Sequence, residues 1–357
     1  MKIAAILPHV EVFGGVRRYI EIGNNFIKRG HSFKIYHREG SPPTWLEFFG
    51  ETGPVEQVTR EENDIAISSD YSVLNYLERA NARKKIFYCL REHKNNRKIC
   101  ASGKFLIMGN STGICEMVRR KYKRECIEAI GGINAELFFP VEIKKDNYEI
   151  KILCYGRIYK KRKGIQKIIK AVELLYKRYP SLRLMLFDTP VGHPRLDARQ
   201  MVHSRVPVTF YTSISQERMA ELYSQADIFV SAEKRAGWNN PCAEAMACKV
   251  PVVCSPSGTR DFAMDGETAL VFHFRYSFVI AKKIERLIED RDLRERIREK
   301  GYKKIQEYTW SNLVDRLEKE FEQLLYKKGD RLLFRKKRTV PFSASHSEGK
   351  KSSLSPF

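Results

Sequence analysis

Short apolar runs alternate with stretches of helical spacing along most of this chain, and the alternation breaks once and then restarts. In the first half the strand candidates are Lys2–Leu7, Phe33–Tyr36, Ile65–Ser68, Ile86–Leu90, Phe105–Met108 and Ile127–Ile130. Helical spacing appears at Val16–Lys28, which Gly30 stops, and near Tyr71–Arg79 and Ile114–Tyr122. A polar break follows at Val141–Tyr148. The second half offers strands at Ile150–Tyr155, Leu182–Phe187, Val208–Tyr211, Ile228–Ser231, Val250–Cys254 and Leu270–Phe272. Its helices are Ile165–Arg178, Glu217–Gln225 and Cys242–Cys248, and Thr189–Pro207, with three prolines, reads as a long loop. Strands that alternate with helices imply parallel sheets with crossover connections. The expected fold class is therefore α/β, with two Rossmann-like doubly wound domains facing a cleft. Ligands of such sheets sit beyond the carboxyl ends of the strands.

The chain has 357 residues, 43% of them hydrophobic, enough for two cores and too many for a disordered chain. Lys and Arg number 65 against 43 Asp and Glu, a net charge of +22. That surplus favours anionic partners: phosphates, nucleic acid or an acidic membrane surface. No apolar stretch approaches the ~18–20 residues that span a bilayer. Met1–Leu7, cut by Pro8, reads as a first strand rather than a signal peptide. The eight cysteines contain no C-x-x-C pair, which suits reduced core residues in a cytoplasmic protein. From Ser277 to about Lys328 the chain reads as charged helix. From Lys327 to the end there are nine Lys and Arg against Asp330 and Glu348, and this tail reads as disordered. Within it Leu332-Leu333-Phe334 precedes the basic block Arg335–Arg338. An apolar triplet followed by cations suits the anionic inner face of the cell membrane, giving a peripheral protein. Arg17, Arg18 and the Arg119–Arg124 cluster are the next candidates for such a contact.

Three motifs stand at strand-to-helix junctions. Phe13-Gly14-Gly15-Val16-Arg17-Arg18 is either an ordinary turn or a phosphate site, since glycines admit a ligand to the backbone and a helix N-terminus supplies free N–H groups. Gly156-Arg157 through Lys163-Gly164 is either a solvated basic loop or a diphosphate clamp, with Arg as a bidentate fork and Lys as a point charge. In Ala236-Gly237-Trp238-Asn239-Asn240-Pro241-Cys242-Ala243-Glu244-Ala245-Met246-Ala247, Glu244 falls in the first turns of a small-residue helix. There it either accepts hydrogen bonds from hydroxyls such as those of a ribose or answers the helix dipole.

The order of these motifs resembles the family 4 retaining glycosyltransferases, which have the GT-B fold. The matching residues are Gly14-Gly15, Gly156-Arg157 with Lys163-Gly164, and Glu244-Ala245-Met246-Ala247 with Pro251-Val252-Val253. Asn110-Ser111, Gly131-Gly132-Ile133-Asn134 to Phe139-Pro140, Ser257-Gly258-Thr259-Arg260-Asp261 and Trp310 match further family positions, so the resemblance runs from residue 1 to about 326. It implies an acceptor-side domain over 1–142, a nucleotide-sugar domain over 143–310 and a helix over 311–328 crossing back, before the tail at 329–357. It also implies transfer of a hexosyl unit, with retention, from a nucleotide-diphosphate sugar to a glycan or lipid-linked acceptor. Arg157 and Lys163, with Arg162 as rival to Lys163, would stabilise the leaving diphosphate. His93, on an N-domain loop, would act on the acceptor side. Gly14, Gly15, Gly237, Asn240, Gly258, Thr259 and Glu244 would bind the donor, Glu244 at the ribose. The family places another glutamate eight positions before the ribose one; here that position is Ala236, and Glu233 stands three residues earlier.

No Asp-x-Asp pair suits a metal, Asp290-Arg-Asp292 reading as charged helix surface, so neither metal nor cofactor is expected. Two rival readings remain. Ala236 suggests a binding or scaffold subunit with a degenerate site. The charge of +22 suggests a nucleic-acid-binding protein, but no zinc-finger, RNP-like or KH-like pattern supports it, and no specific nucleic-acid partner is expected.

Overall fold

A computed structural model describes residues 1–144, 148–188 and 197–326. The N-terminal sheet has seven parallel strands: β1 (Lys2–Ile6), β2 (Ser32–His37), β3 (Glu51–Pro54), β4 (Asn63–Ser68), β5 (Ala82–Cys89), β6 (Leu106–Gly109) and β7 (Ile127–Glu128), in the spatial order 3-2-1-4-5-6-7. Helices α1 (Gly14–Ile27), α2 (Leu74–Arg79), α3 (Asn96–Ser102) and α4 (Thr112–Tyr122) cross over between strands. The C-terminal sheet has six strands: β8 (Ile150–Tyr155), β9 (Leu182–Asp188), β10 (Val208–Thr212), β11 (Ile228–Ser231), β12 (Val252–Cys254) and β13 (Leu270–Val271), in the order 10-9-8-11-12-13. Its helices are α5 (Ile165–Tyr176), α6 (Met219–Ser224), α7 (Asn240–Ala247), α8 (Ser277–Glu289) and α9 (Arg291–Ile305), and α10 (Trp310–Leu325) ends the described chain.

Two elements lack the expected sequence pattern. Strand β3, Glu-Thr-Gly-Pro, has no apolar run, because it forms the outer edge of the sheet and pairs only with β2. Helix α3 is short and buries only Asn96, Ile99 and Cys100. All eight cysteines are free and buried. The tail expected to be disordered, with its basic block, lies outside the described residues, as do residues 189–196 of the proline-rich loop.

Apolar layers on both faces of each sheet form the cores. The N-terminal layer beneath α1 is completed from the far end of the chain: Trp310, Leu313, Val314, Leu317, Phe321 and Leu325 of α10 pack with Tyr19, Phe26 and Ile35. Phe321 stacks on Phe26 with ring centroids 5.8 Å apart. The link between the domains is held where the chain crosses back. The N–H groups of Gly132 and Ile133 donate to the Tyr308 carbonyl at 2.8 and 3.0 Å, and that of Trp310 donates to the Ile133 carbonyl at 3.1 Å. Arg18 belongs to this joint rather than to the surface, a correction to its reading as a membrane contact. It is 3% exposed, its guanidinium donates to the carbonyls of Ala129 and Gly131 and to the Tyr88 hydroxyl, and it lies 5.0 Å from the Trp310 ring centre.

Gly132 has φ +126°, and a methyl there would overlap the indole of Trp310. Gly132→Ala therefore combines backbone strain with overpacking and is expected to destabilise the chain by about 2–4 kcal/mol. A thermal melt should show a clear drop in the transition temperature. An unchanged melt would mean that the joint adjusts without cost.

Candidate active site

The carboxyl ends of the two sheets meet at backbone distance. A Cβ on Gly237 would overlap the Leu90 carbonyl and lie 2.6 Å from the Asn110 side-chain oxygen, so the loop before α7 fits against the ends of β5 and β6 only without a side chain. A Cβ on Gly14 would lie 3.0 Å from the Asn240 amide nitrogen, and one on Gly15 would lie 3.3 Å from Leu90. The glycine pair of one domain thus faces the start of α7 in the other. Helix α1 has Phe13 at its N-cap, which supplies no side-chain acceptor, so the N–H groups of its first turn point into the cleft without a cap. Helix α4 is capped from the opposite domain: the Asp261 carboxylate accepts from the Thr112 N–H at 3.2 Å.

Glu244 lies on α7, 7% exposed, with both carboxylate oxygens engaged. Arg17 of α1 donates to Oε1 at 2.8 Å across the domain boundary, and the Tyr223 hydroxyl of α6 donates to Oε2 at 2.7 Å. Burial, reinforced by Glu244, raises the Tyr223 pKa well above the usual phenol value, so Tyr223 stays a donor. This is a hydrogen-bonding carboxylate in a cleft rather than a partner for its own helix dipole, because it lies in the second turn of α7 and not at the start, which the Asn239 side chain caps. Arg17 also lies 5.4 Å from the Phe138 ring centre.

The basic loop after β8 is not solvated along its whole length. Arg157 donates from Nε to Asp188 Oδ1 at 3.1 Å, and Asp188 is the last residue of β9. Lys163 forms an ion pair with Glu233, whose other oxygen takes Arg162 Nη1 at 3.1 Å. Arg157 and Lys163 converge on one ring, lying 5.3 and 4.9 Å from the Tyr155 centroid. Burial lowers the Lys163 pKa below the usual lysine value, against the opposing pull of Glu233. Between the two rival cations, the Lys163 side chain is 18% exposed and that of Arg162 41%, so Lys163 is the one held inside the cleft. Lys163, Glu233, Asn239 and Tyr155 line one small cavity there.

Other expected site residues are distributed around this centre. Gly258 accepts from the Asn239 N–H at 2.8 Å, and its own Cβ position lies 2.8 Å from the Ala236 methyl. Thr259 is fully buried and its hydroxyl donates to the Ser255 carbonyl at 2.8 Å, so its side chain is engaged inside the domain. His93 stands on the loop after β5, its ring 4.6 Å from that of Tyr71, and its Nδ1 accepts from the Asn95 N–H at 3.2 Å. The proton of the neutral ring is then on Nε2. Leu90, three residues earlier, meets the positions of Gly15 and Gly237, so the loop carrying His93 starts in the cleft.

Sequence reasoning missed Arg17, Asp188 and Tyr223 and set Glu233 aside for its spacing. Asp188 carried a signal, a lone carboxylate ending a buried strand. Tyr223 had none, since an apolar helix face accounts for it.

Residues 136–304 match the family model described as Glycosyl transferases group 1. The capsular polysaccharide biosynthesis glycosyltransferase CapM of Staphylococcus aureus is 26% identical over 186 residues, 48% of this chain and 45% of that protein. The chain spans about half the length of the curated relatives it matches. A glycosyltransferase from Rickettsia africae superposes with a TM-score of 0.75 at 16% identity, covering 92% of this chain and 99% of the other. HepE of Anabaena, in complex with UDP and glucose, superposes with a TM-score of 0.71 at 15% identity, covering 90% and 100%.

Glu233 and Lys163 form a buried pair, so losing Glu233 strands the Lys163 charge and losing Lys163 leaves Glu233 with the more exposed Arg162 alone. Glu233→Gln and Lys163→Met should each cost about 3–5 kcal/mol, and the double substitution less than their sum. Urea unfolding of the four proteins measures the coupling. Strict additivity would separate the two groups.

Proposed function

We propose that this chain, whose residues 136–304 match the glycosyl transferases group 1 model, is a glycosyltransferase that moves a hexosyl unit, with retention, from a nucleotide-diphosphate sugar to a glycan or lipid-linked acceptor. The observation that carries the reading is the convergence of Arg157 and Lys163 on Tyr155, in the same cleft where Glu244 faces the uncapped start of α1. Breaking the anomeric bond places negative charge on the departing diphosphate. Arg157 and Lys163 stabilise that charge, together with N–H groups at the start of α1 and near Gly258, in a site partly closed to water. Glu244 receives the ribose hydroxyls, with Tyr223 fixing its orientation. Side-chain cations and helix N-termini do the work that a divalent ion does elsewhere, so the reaction needs no metal. Attack on the face that the diphosphate leaves, through a short-lived oxocarbenium ion pair, accounts for retention without a protein nucleophile. The acceptor binds against the N-domain, where the His93 loop opens into the cleft, at the cytoplasmic membrane face.

HepE is in complex with UDP and glucose, which makes UDP-glucose the first donor to test. The direct experiment follows sugar release or transfer with UDP-, GDP- and ADP-sugars in excess EDTA. Turnover in EDTA with product of unchanged anomeric configuration supports the proposal. Turnover that appears only with added Mg²⁺ or Mn²⁺ overturns the metal-free part, and inverted product overturns retention. Ala236 favours a second reading, a subunit that binds the donor without turning it over. Donor binding without hydrolysis or transfer would decide for it.

Arg157→Ala or Lys163→Ala should each lower turnover roughly a hundredfold, the scale of one lost charge-stabilising donor. Steady-state kinetics beside a thermal melt checks this, and wild-type turnover removes the residue from the site.

A pH profile gives an independent check. Because burial lowers the Lys163 pKa, its positive charge is lost as pH rises through a value below the usual lysine range. The value of kcat/KM for the donor should therefore fall on the alkaline side below that range. Lys163→Arg should move the fall to higher pH, since a guanidinium keeps its proton there. An alkaline limb that does not move would assign it to another group.

A further inference from the structure

Three aromatic side chains lie open on one ridge of the C-terminal domain. Phe274, Tyr276 and Phe278 are 68%, 58% and 57% exposed. They occupy alternate positions where the chain leaves β13 and enters α8, so they share one side, while Phe272, next in the alternation, is buried. Their rings are nearly parallel, 17° and 10° apart, with centroids separated by 6.4 and 5.8 Å. They cover one another and little else. A contiguous exposed apolar strip of this kind marks an interaction surface.

Arg275 points the other way, into the basic loop, where its Nη2 donates to the Arg162 carbonyl at 3.2 Å. Lys161 of that loop is exposed, and so is Lys282, one helical turn beyond Phe278. Nearby carboxylates are paired: Asp265 with Lys283 at 3.0 Å, Glu285 and Glu289 both with Arg178 at 2.9 and 2.7 Å, and Glu233 with Arg162 and Lys163. Of the N-domain cations expected at a membrane, Arg17 pairs with Glu244, Arg119 with Glu128 and Lys121 with Glu92, and Arg124 donates to the Cys100 and Phe105 carbonyls, while Arg120 and Lys123 are exposed.

We propose that the Phe274–Tyr276–Phe278 ridge, with the exposed Lys161 and Lys282, docks this chain on an anionic lipid bilayer. Aromatic rings settle at the headgroup level of a membrane, and cations beside them meet lipid phosphates. The basic loop links ridge and cleft, because Arg162 is held by Arg275 on one side and by Glu233 on the other. Docking here sets the donor cleft beside the bilayer. This purpose rests on the proposed transfer to a membrane-borne acceptor; the docking itself does not.

The test is co-sedimentation of the full chain with vesicles of equimolar phosphatidylcholine and phosphatidylglycerol, and with phosphatidylcholine alone. Two variants are compared: Phe274→Ser/Tyr276→Ser/Phe278→Ser, and Lys161→Glu/Lys282→Glu. The wild type should bind the anionic vesicles, and each variant should lose about tenfold or more in partition, with an unchanged melting temperature. The charge variant should lose nothing on the neutral vesicles. Binding of both variants at the wild-type level would move the contact to another surface, such as the basic stretch beyond Tyr326, and overturn the assignment. Failure of the wild type to bind anionic vesicles would overturn it too, as would a ridge that binds soluble glycan in place of lipid. UDP-glucose binding by the same proteins reports on the donor site separately.

Discussion

Two parallel sheets can share one ligand only if their carboxyl ends face each other closely enough for both backbones to reach it. In this chain the approach depends on positions where a side chain would not fit. Gly237 lies against the Leu90 carbonyl, Gly14 against the Asn240 amide and Gly132 beneath the Trp310 indole. The last of these also sets how the chain crosses back, because Gly132, Ile133, Tyr308 and Trp310 bond to one another through the backbone. With that joint in place, α10 completes the N-terminal core, and the two halves cannot separate without exposing it.

The second constraint is electrostatic. A chain of +22 gathers cations in a cleft and still has to hold them apart. Each one is paired with a carboxylate at a strand end or helix: Arg157 with Asp188, Lys163 with Glu233, and Arg17 with Glu244. Half-buried pairs of this kind contribute little net stability, since desolvation offsets attraction. They do fix side-chain position. Glu233 shows how a displaced residue can serve: three positions from the family's spacing, its buried carboxylate still reaches Lys163.

Much was legible in the sequence because the physics behind it is local. Buried parallel strands need apolar runs, so all the expected ones appear, within a residue or two at the ends except for β5, whose polar start at Ala82 lies four residues before the apolar run. The edge strand β3 escaped for the same reason, as it buries little and needs no apolar run. Glycine turns, the basic loop and the small-residue helix were likewise visible, since each is a short stretch with a composition its backbone requires.

What the sequence determined by itself was therefore the pair of α/β domains, the surplus of positive charge and the three motifs at strand ends. What only the tertiary structure decided was which charges meet. Arg17 and Glu244 are separated by 227 positions, Lys163 and Glu233 by 70, and Tyr223 finds Glu244 from another helix. The tertiary structure also turned Arg18 inward to the joint and left Phe274, Tyr276 and Phe278 outside. Neither outcome follows from residue type, because a guanidinium can be buried where carbonyls meet it and an aromatic ring can stay exposed where no neighbouring element covers it. Residue type and spacing specify the local elements, while pairing and burial depend on how distant elements pack.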